Sequence, residues 1–253
     1  MLAENRRQQI MLEVQRTGQV RTTDMANLFQ VSEVTIRSDL LELERLGQIT
    51  RIHGGALALN TDSPVAAFDK RMRLNFEAKQ RIARFAARFI VNDQSIVMDG
   101  GSTLLQLALH VPPMTNLVVA TPALNIAQQL MLRPGIDVHM IGGRVNVATV
   151  STIGSDIEQG VDGFRAHQAF VSAQAIDRAL DIVDSSHDVA RTKRNLVRLA
   201  RRVVLLADSS KWDQDASSKA FSMSKVKIVV TDDKLSRDVR HRLEDYDLEV
   251  YCV

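Results

Sequence analysis

The segment Asp99-Gly100-Gly101-Ser102-Thr103 brings together the parts of an anion cradle. Two glycines let backbone close on an anion, while hydroxyls and the first N–H groups of a helix opening at this point supply donors. Four more polar segments also follow short apolar runs: Thr121, Gly142-Gly143, Asp177, and Asp208-Ser209-Ser210-Lys211, with Arg191 and Lys193 on the stretch before the last. Amide donors and lysines suit a phosphate, and carboxylates suit sugar hydroxyls, so the set fits a phosphorylated, hydroxyl-rich ligand. Alone, Gly100-Gly101 reads as a structural turn and Asp208 as a helix N-cap or a partner for Lys211. Five polar strand ends together favour a binding site.

A second group, Ser32-Glu33-Val34-Thr35-Ile36-Arg37-Ser38, suits a helix that reads DNA. Helical spacing turns Ile36 and Leu40 inward and leaves Glu33, Thr35, Arg37 and Ser38 nearer the opposite face, where Arg37 can fork onto guanine or a phosphate. Ser32 can cap this helix and touch phosphate. Arg51 and His53, further along, suit backbone or minor-groove contact.

The elements that must hold these residues differ in period. Over residues 1–47, apolar side chains recur at helical spacing in three blocks: Ile10 and Val14; Met25, Leu28 and Phe29; Ile36, Leu40 and Leu43. Thr22, Thr23 and Asp24 offer N-caps for the second block, Ser32 for the third, and Gly47 suits a left-handed C-cap. Gln48–Ile52, a His53-Gly54-Gly55 turn and Ala56–Leu59 read as strand, turn, strand, a wing. Asn60–Val65 is polar and contains Pro64, and helical spacing resumes over Phe68–Val91. From Ser95 on, β-rich runs at Ser95–Met98, Leu117–Ala120, Ile136–Ile141, Ala169–Ala173, Val203–Ala207, Val226–Val230 and Leu248–Tyr251 alternate with helical stretches at Thr103–His110, Ala123–Leu132, His187–Arg202 and Ser236–Asp245. That alternation predicts an α/β fold with a largely parallel sheet. The expected domains are 1–59, a winged helix-turn-helix; 60–75, a linker; and 76–253, a larger α/β sensor.

Composition narrows the classes further. With 45% hydrophobic and 25% charged residues in 253, the chain can bury a sizeable core and is neither disordered nor fibrous. A net charge of +2 places any nucleic-acid affinity in local clusters rather than in bulk charge. Residues 1–59 hold seven arginines against seven acidic residues, so one copy binds DNA modestly and a homo-oligomer, a dimer or tetramer, is the natural remedy. Residues 69–88 hold seven basic residues, Lys70, Arg71, Arg73, Lys79, Arg81, Arg84 and Arg88, against two acidic ones, and read as a solvated helix face, the alternative being a share in DNA phosphate contact. The single cysteine, Cys252, and the absence of an apolar leader or membrane span point to the cytoplasm. The six histidines are scattered, so no metal or cofactor is expected, and His187-Asp188 reads as a helix start.

The spacing Arg6-x3-Ile10-x3-Val14-x17-Ser32-x2-Thr35-Ile36-Arg37-Ser38-Asp39-Leu40, with Arg51-x2-Gly54-Gly55-Ala56, resembles the DNA-binding domain of DeoR-family bacterial transcription regulators. The resemblance extends to Asp99–Thr103, Gly142-Gly143 and Asp208–Lys211, which are similar to the family's effector domain, itself similar to the ribose-phosphate isomerase fold. It implies a reading segment from about Val20 to Asp39, double-stranded operator DNA and a phosphorylated sugar as partners, and a repressor of a carbohydrate operon. The chain departs from the family pattern at Ala173-Gln174-Ala175-Ile176-Asp177, where glycines are usual, and at Asp188, ahead of Lys193, where a glutamate is usual. These departures bear on the sugar-contacting side. The competing reading is a sugar-phosphate isomerase or transferase using Asp177 and Lys193, but it gives no reason for the first 59 residues.

Overall fold

In a computed structural model, residues 3–46, 48–58, 64–154 and 163–253 are described. The chain divides into two compact units, Met1–Ala67 and Phe68–Val253. The division lies inside the 60–75 stretch read as a linker, and residues 64–73 of that stretch are helical.

The first unit contains helices α1 (Ala3–Thr17), α2 (Thr22–Phe29) and α3 (Glu33–Arg45) and strands β1 (Gln19–Arg21), β2 (Ile49–Ile52) and β3 (Gly55–Ala58). Ile10, Val14, Met25, Ile36, Leu40 and Leu43, the apolar spacing that defines the helices, pack with Val20, Ile49 and Ala56 into one core. The wing has three strands in the order β1-β3-β2, one more than the sequence predicts. A three-residue strand has too little alternation to register as a period, and β1 is held by the fold around it. A Cβ on Gly55 would lie 2.0 Å from the Val20 carbonyl, so this glycine is what lets β1 reach β3.

The caps divide the same way. Ser32 caps α3 as expected, its Oγ accepting from the Thr35 N–H. None of Thr22, Thr23 or Asp24 caps α2: Arg21 holds the cap position without a side-chain bond, and the Thr22 N–H is taken by the Gly54 carbonyl of the wing. A tertiary backbone bond has replaced the local one. The C-cap expected at Gly47 lies outside the described residues, as does Leu59 at the wing's end.

The second unit is built on a seven-stranded parallel sheet in the order β15-β14-β12-β9-β4-β5-β6. Its strands are β4 (Ser95–Met98), β5 (Leu117–Thr121), β6 (Ile136–Met140), β9 (Ala166–Ser172), β12 (Ala200–Leu206), β14 (Ile228–Thr231) and β15 (Glu249–Cys252). Ile96, Met98, Phe170, Val204 and Leu206 enter one core while Val97, Ala169, Val171, Val203 and Leu205 enter the other, so each central strand is apolar on both faces. Helices α5 (Phe76–Ala86), α6 (Ser102–His110) and α7 (Leu124–Leu130) contribute to the first core; α8 (His187–Arg198) and α9 (Arg237–Leu243) contribute to the second.

Three expectations need correction. The helix expected over His187–Arg202 ends at Arg198, because Ala200–Arg202 pair with Ala166–Gln168 and extend the ladder. The helix expected over Phe68–Val91 breaks into α4 (Pro64–Arg73) and α5, with Asn75 between them in the left-handed region at φ 53°. The antiparallel strands β10 (Ala175–Ile176), β11 (Asp181–Asp184) and β13 (Ser218–Ser222), and the hairpin β7 (Arg144–Asn146) to β8 (Ser151–Ile153), carry no strand signal in the sequence. The β7–β8 turn lacks glycine and proline. Asn146 Oδ1 shapes it by accepting from the Ala148 N–H, and Val150 sits at φ 52°.

Candidate functional site

In the sheet, β4 leads to β5 and β6 on one side and β9 leads to β12, β14 and β15 on the other, so the order reverses between β4 and β9. At such a reversal the connections leave on opposite faces and open a crevice at the strands' carboxyl ends. A cleft of about 280 Å³ lies there. Its wall includes Asp99–Thr103 from the β4–α6 turn, Ser172–Gln174 from the end of β9 and Asp184–Ser186 ahead of α8. Val189, Lys193, Lys211, Arg71 and four residues of the β7–β8 hairpin complete it.

The β4–α6 turn fits the chemistry of its residues. Gly101 has φ 122°, and a Cβ there would meet Ser172 Oγ at 2.8 Å. Ser172 Oγ in turn donates to the Gly100 carbonyl at 3.0 Å, fixing the loop. Gly101 caps α6 without a side-chain bond, so the helix start faces the cleft with its partial positive charge uncovered by a side chain. Lys193, 5% exposed, donates to Asp99 Oδ2 at 2.5 Å and to the Ser172 carbonyl at 3.0 Å. Desolvation raises the Asp184 pKa, with Lys193 pulling it down and Asp99 pushing it further up. The Asp184 carboxylate also accepts from the Ser186 N–H at 3.1 Å.

Of the effector-site residues named from the sequence, Asp99, Gly100, Gly101, Ser102, Thr103, Lys193 and Lys211 line this cleft, whereas Thr121, Gly142, Gly143, Asp177, Arg191 and Asp208–Ser210 do not. Thr121 is fully buried, its Oγ1 accepting from the Ala123 N–H. Gly142 and Gly143 lie in the β6–β7 connection. Asp177 shapes the β10–β11 turn by accepting from the Asp181 N–H at 2.8 Å. Asp208, 1% exposed, caps the 3-10 turn Ser209–Lys211 through the Ser210 N–H, the N-cap role open to it from the sequence. Of the departures, Ala173 and Gln174 line the cleft, whereas Ala175 pairs with Val183 in β10 and Asp188 pairs with Arg144 at 2.8 Å, both off its wall. Arg71, Ser172, Asp184 and the β7–β8 hairpin were missed. Ser172 ends β9, whose apolar run is visible in the sequence, and so had a positional signal, whereas Asp184 ends β11, which shows none, and Arg71 was hidden in a basic helical run.

In the first unit, α3 buries Ile36, Asp39, Leu40 and Leu43 and turns its other side to solvent. Arg37 and Glu33 form an exposed i,i+4 pair at 2.8 Å, with Ser38 exposed beside them. Ser32 Oγ lies 2.9 Å from Thr35 Oγ1. Val34, not singled out from the sequence, is 71% exposed on the same turn. On the wing, the Arg51 guanidinium stands 3.7 Å from Glu44, and His53 is exposed. Asp39, at the end of the expected reading segment, points inward: Arg6 binds it at 2.5 Å and Arg7 at 3.2 Å, tying α1 to α3. Among the described residues no helix is long and apolar enough to cross a membrane, and no group of three or more His, Cys, Asp or Glu is placed to hold a metal ion.

Residues 6–62 match the model of the DeoR-like helix-turn-helix domain and residues 74–233 that of the DeoR C terminal sensor domain. The chain is 31% identical to the glycerol-3-phosphate regulon repressor of Escherichia coli strain K12 over 94% of each protein. It is 28% identical to the putative aga operon transcriptional repressor of Escherichia coli O157:H7 over 98% of this chain and 93% of that one. Among solved structures it is similar to ribose 5-phosphate isomerase A from Methanocaldococcus jannaschii, with 14% identity and a TM-score of 0.40 over 55% of each chain. With a helix-turn-helix and wing in one unit, a cleft at the strand reversal in the other and both family models matched, the chain belongs to the DeoR family of DNA-binding transcriptional regulators.

Proposed function

We propose that this regulator represses a carbohydrate uptake or breakdown operon. In this reading α3 and the wing bind double-stranded operator DNA, and a phosphorylated sugar or polyol in the cleft releases it. The observation that carries the reading is the cleft itself. It sets an uncapped helix start and two cations, Arg71 and Lys211, with no carboxylate in ion-pair distance among the described residues, beside two carboxylates at the strand reversal. The first set suits a phosphate and the second suits hydroxyls. A volume of about 280 Å³ lies at the lower end of ligand pockets, which suits a compact ligand rather than a nucleotide. The names of the relatives, a glycerol-3-phosphate regulon repressor and a putative aga operon repressor, support a carbohydrate-linked role.

On DNA, the reading assigns base-edge contact to Arg37 with Thr35 and Ser38, and backbone contact to Ser32, Arg51 and His53. Glu33 and Glu44 hold Arg37 and Arg51 in the free protein. Exposed pairs of this kind contribute about 0–1 kcal/mol, so exchanging a glutamate for a phosphate costs little. The chain acts in the cytoplasm as a homo-oligomer that presents two copies of α3 to paired half-sites, which offsets the zero net charge of residues 1–59. Effector binding shifts the balance between DNA-competent and DNA-incompetent forms, and no covalent chemistry is needed.

A thermal-shift panel of three- to six-carbon sugar and polyol phosphates tests the ligand class. A true ligand at 100 times its Kd adds about 2.7 kcal/mol of stability. The corresponding unphosphorylated sugars give no shift; a panel in which they stabilise as well as the phosphates would refute the phosphate assignment.

A further inference from the structure

One residue of the cleft wall lies outside the strand ends and on the segment that joins the two units. Arg71 belongs to α4, four residues beyond Ala67, the last residue of the first unit. Its guanidinium donates to the Ala148 carbonyl of the β7–β8 turn, which also lines the cleft. That bond uses one of five guanidinium donors. Lys193 is neutralised by Asp99, whereas among the described residues neither Arg71 nor Lys211 has a carboxylate within ion-pair distance.

The junction between α4 and α5 is fastened to the same region from both sides. Asn75 donates its amide to Asp208 Oδ1 at 2.8 Å and Ser210 Oγ at 3.0 Å, the segment that continues into Lys211. Lys79, 2% exposed on α5, donates to the carbonyls of Leu74, at 2.6 Å, and of Arg71. The end of α4 is therefore held, and a displacement of Arg71 passes into the backbone of α4 instead of being lost in a loose chain. Burial depresses the Lys79 pKa to about 8; Asp208 opposes this, and Lys211 and Arg71 both add to it. The charges of Lys211 and Arg71 are both felt at Lys79, and both residues line the one cleft an anion would enter.

We propose that Arg71 is an effector-binding residue that clamps the ligand's anionic group together with Lys211, and that α4 carries its engagement toward the DNA-binding unit. The inference rests on the reading of the cleft as a phosphorylated-carbohydrate site and adds to it the residue and the segment that report occupancy. Charge-assisted bonds of this kind set the scale of the expected effect.

The test uses the full-length chain, a duplex selected on it from random DNA, and a probe panel of glycerol 3-phosphate, ribose 5-phosphate, fructose 6-phosphate and inorganic phosphate. For the probe that releases the wild type, Arg71→Gln raises the concentration for half-release by about tenfold or more, and Arg71→Lys recovers part of that loss. In the wild type, which needs no variant to fold, the same probe slows amide hydrogen exchange over residues 68–79. Equal probe response in wild type and Arg71→Gln, or unchanged exchange over 68–79 at saturating probe, overturns the assignment of Arg71 and leaves the sensor reading standing. A wild type that no probe stabilises or releases overturns both.

Discussion

Two ion pairs show how differently the two units use charge. Glu33 and Arg37 face solvent on α3, with side chains 44% and 61% exposed, and their pairing is exchangeable. Asp99 and Lys193 meet at the floor of the cleft with both side chains 6% exposed. Removing one partner of a buried pair leaves an uncompensated charge, which costs about 3–5 kcal/mol, whereas the exposed pair is worth about 0–1. The exposed pair leaves its charges accessible to solvent, and the buried pair holds the shape of the cleft. Asp39 is the first unit's exception. It is buried against Arg6 and Arg7, so within α3 the outward charges face solvent and the inward one anchors.

The largest expected effects break the buried pairs. Lys193→Ala lowers the unfolding free energy by about 3–5 kcal/mol, and Asp39→Ala does the same through the first unit, measured by urea denaturation followed at each unit. Gly101→Leu collides with Ser172 and fills the cleft, so the operator stays bound at ligand concentrations that release the wild type. Arg37→Ala leaves the unfolding free energy within about 0.5 kcal/mol of wild type, because the residue is exposed. The same variant weakens operator binding by about 1–3 kcal/mol with relaxed preference at one base position. Equal loss on random DNA would make Arg37 a phosphate contact.

A pH series sharpens the contrast from another side. The folded Lys79 pKa is about 8, against an ordinary lysine value of 10.5. Between these values the unfolded chain holds the proton and the folded chain has released it, so stability rises with pH across that window relative to Lys79→Met. The slope is at most about 1.4 kcal/mol per pH unit. Below pH 8 both states are protonated and the difference is flat. The smallest effect belongs to the exposed pair: Glu33→Gln changes stability by less than about 1 kcal/mol and frees Arg37, which tightens binding to DNA of any sequence at low salt.

The sequence made some of this architecture readable and hid the rest for physical reasons. The central strands were legible because burial on both faces forces continuous apolar runs such as Val203–Ala207. Helix α3 was legible through Ser32, a cap whose partner is three residues away. What stayed hidden depends on contacts distant in sequence. β1 exists because Gly55 lets it approach β3, and Ala200–Arg202 become strand because β9 offers them a ladder. Within the cleft, the glycine turn and Lys211 followed from the rule that ligands sit at strand ends. Arg71 obeys no such rule: it reaches the cleft from a helix, and nothing local separates it from the six other basic residues of that run. Asp208 misled in the opposite way, as a polar residue at a strand end whose side chain caps a turn and holds Asn75.

The central claim is that occupancy of the cleft in the second unit governs DNA binding by the first. Fluorescence anisotropy of a labelled selected operator, held half-saturated by the full-length chain and titrated with each sugar phosphate, measures that link directly. At least one phosphate should lower the anisotropy and raise the apparent Kd for DNA by about 5- to 150-fold, the range of a 1–3 kcal/mol coupling. An apparent Kd that stays constant across the panel, with a phosphate seen to bind the protein in the same solution, would contradict it.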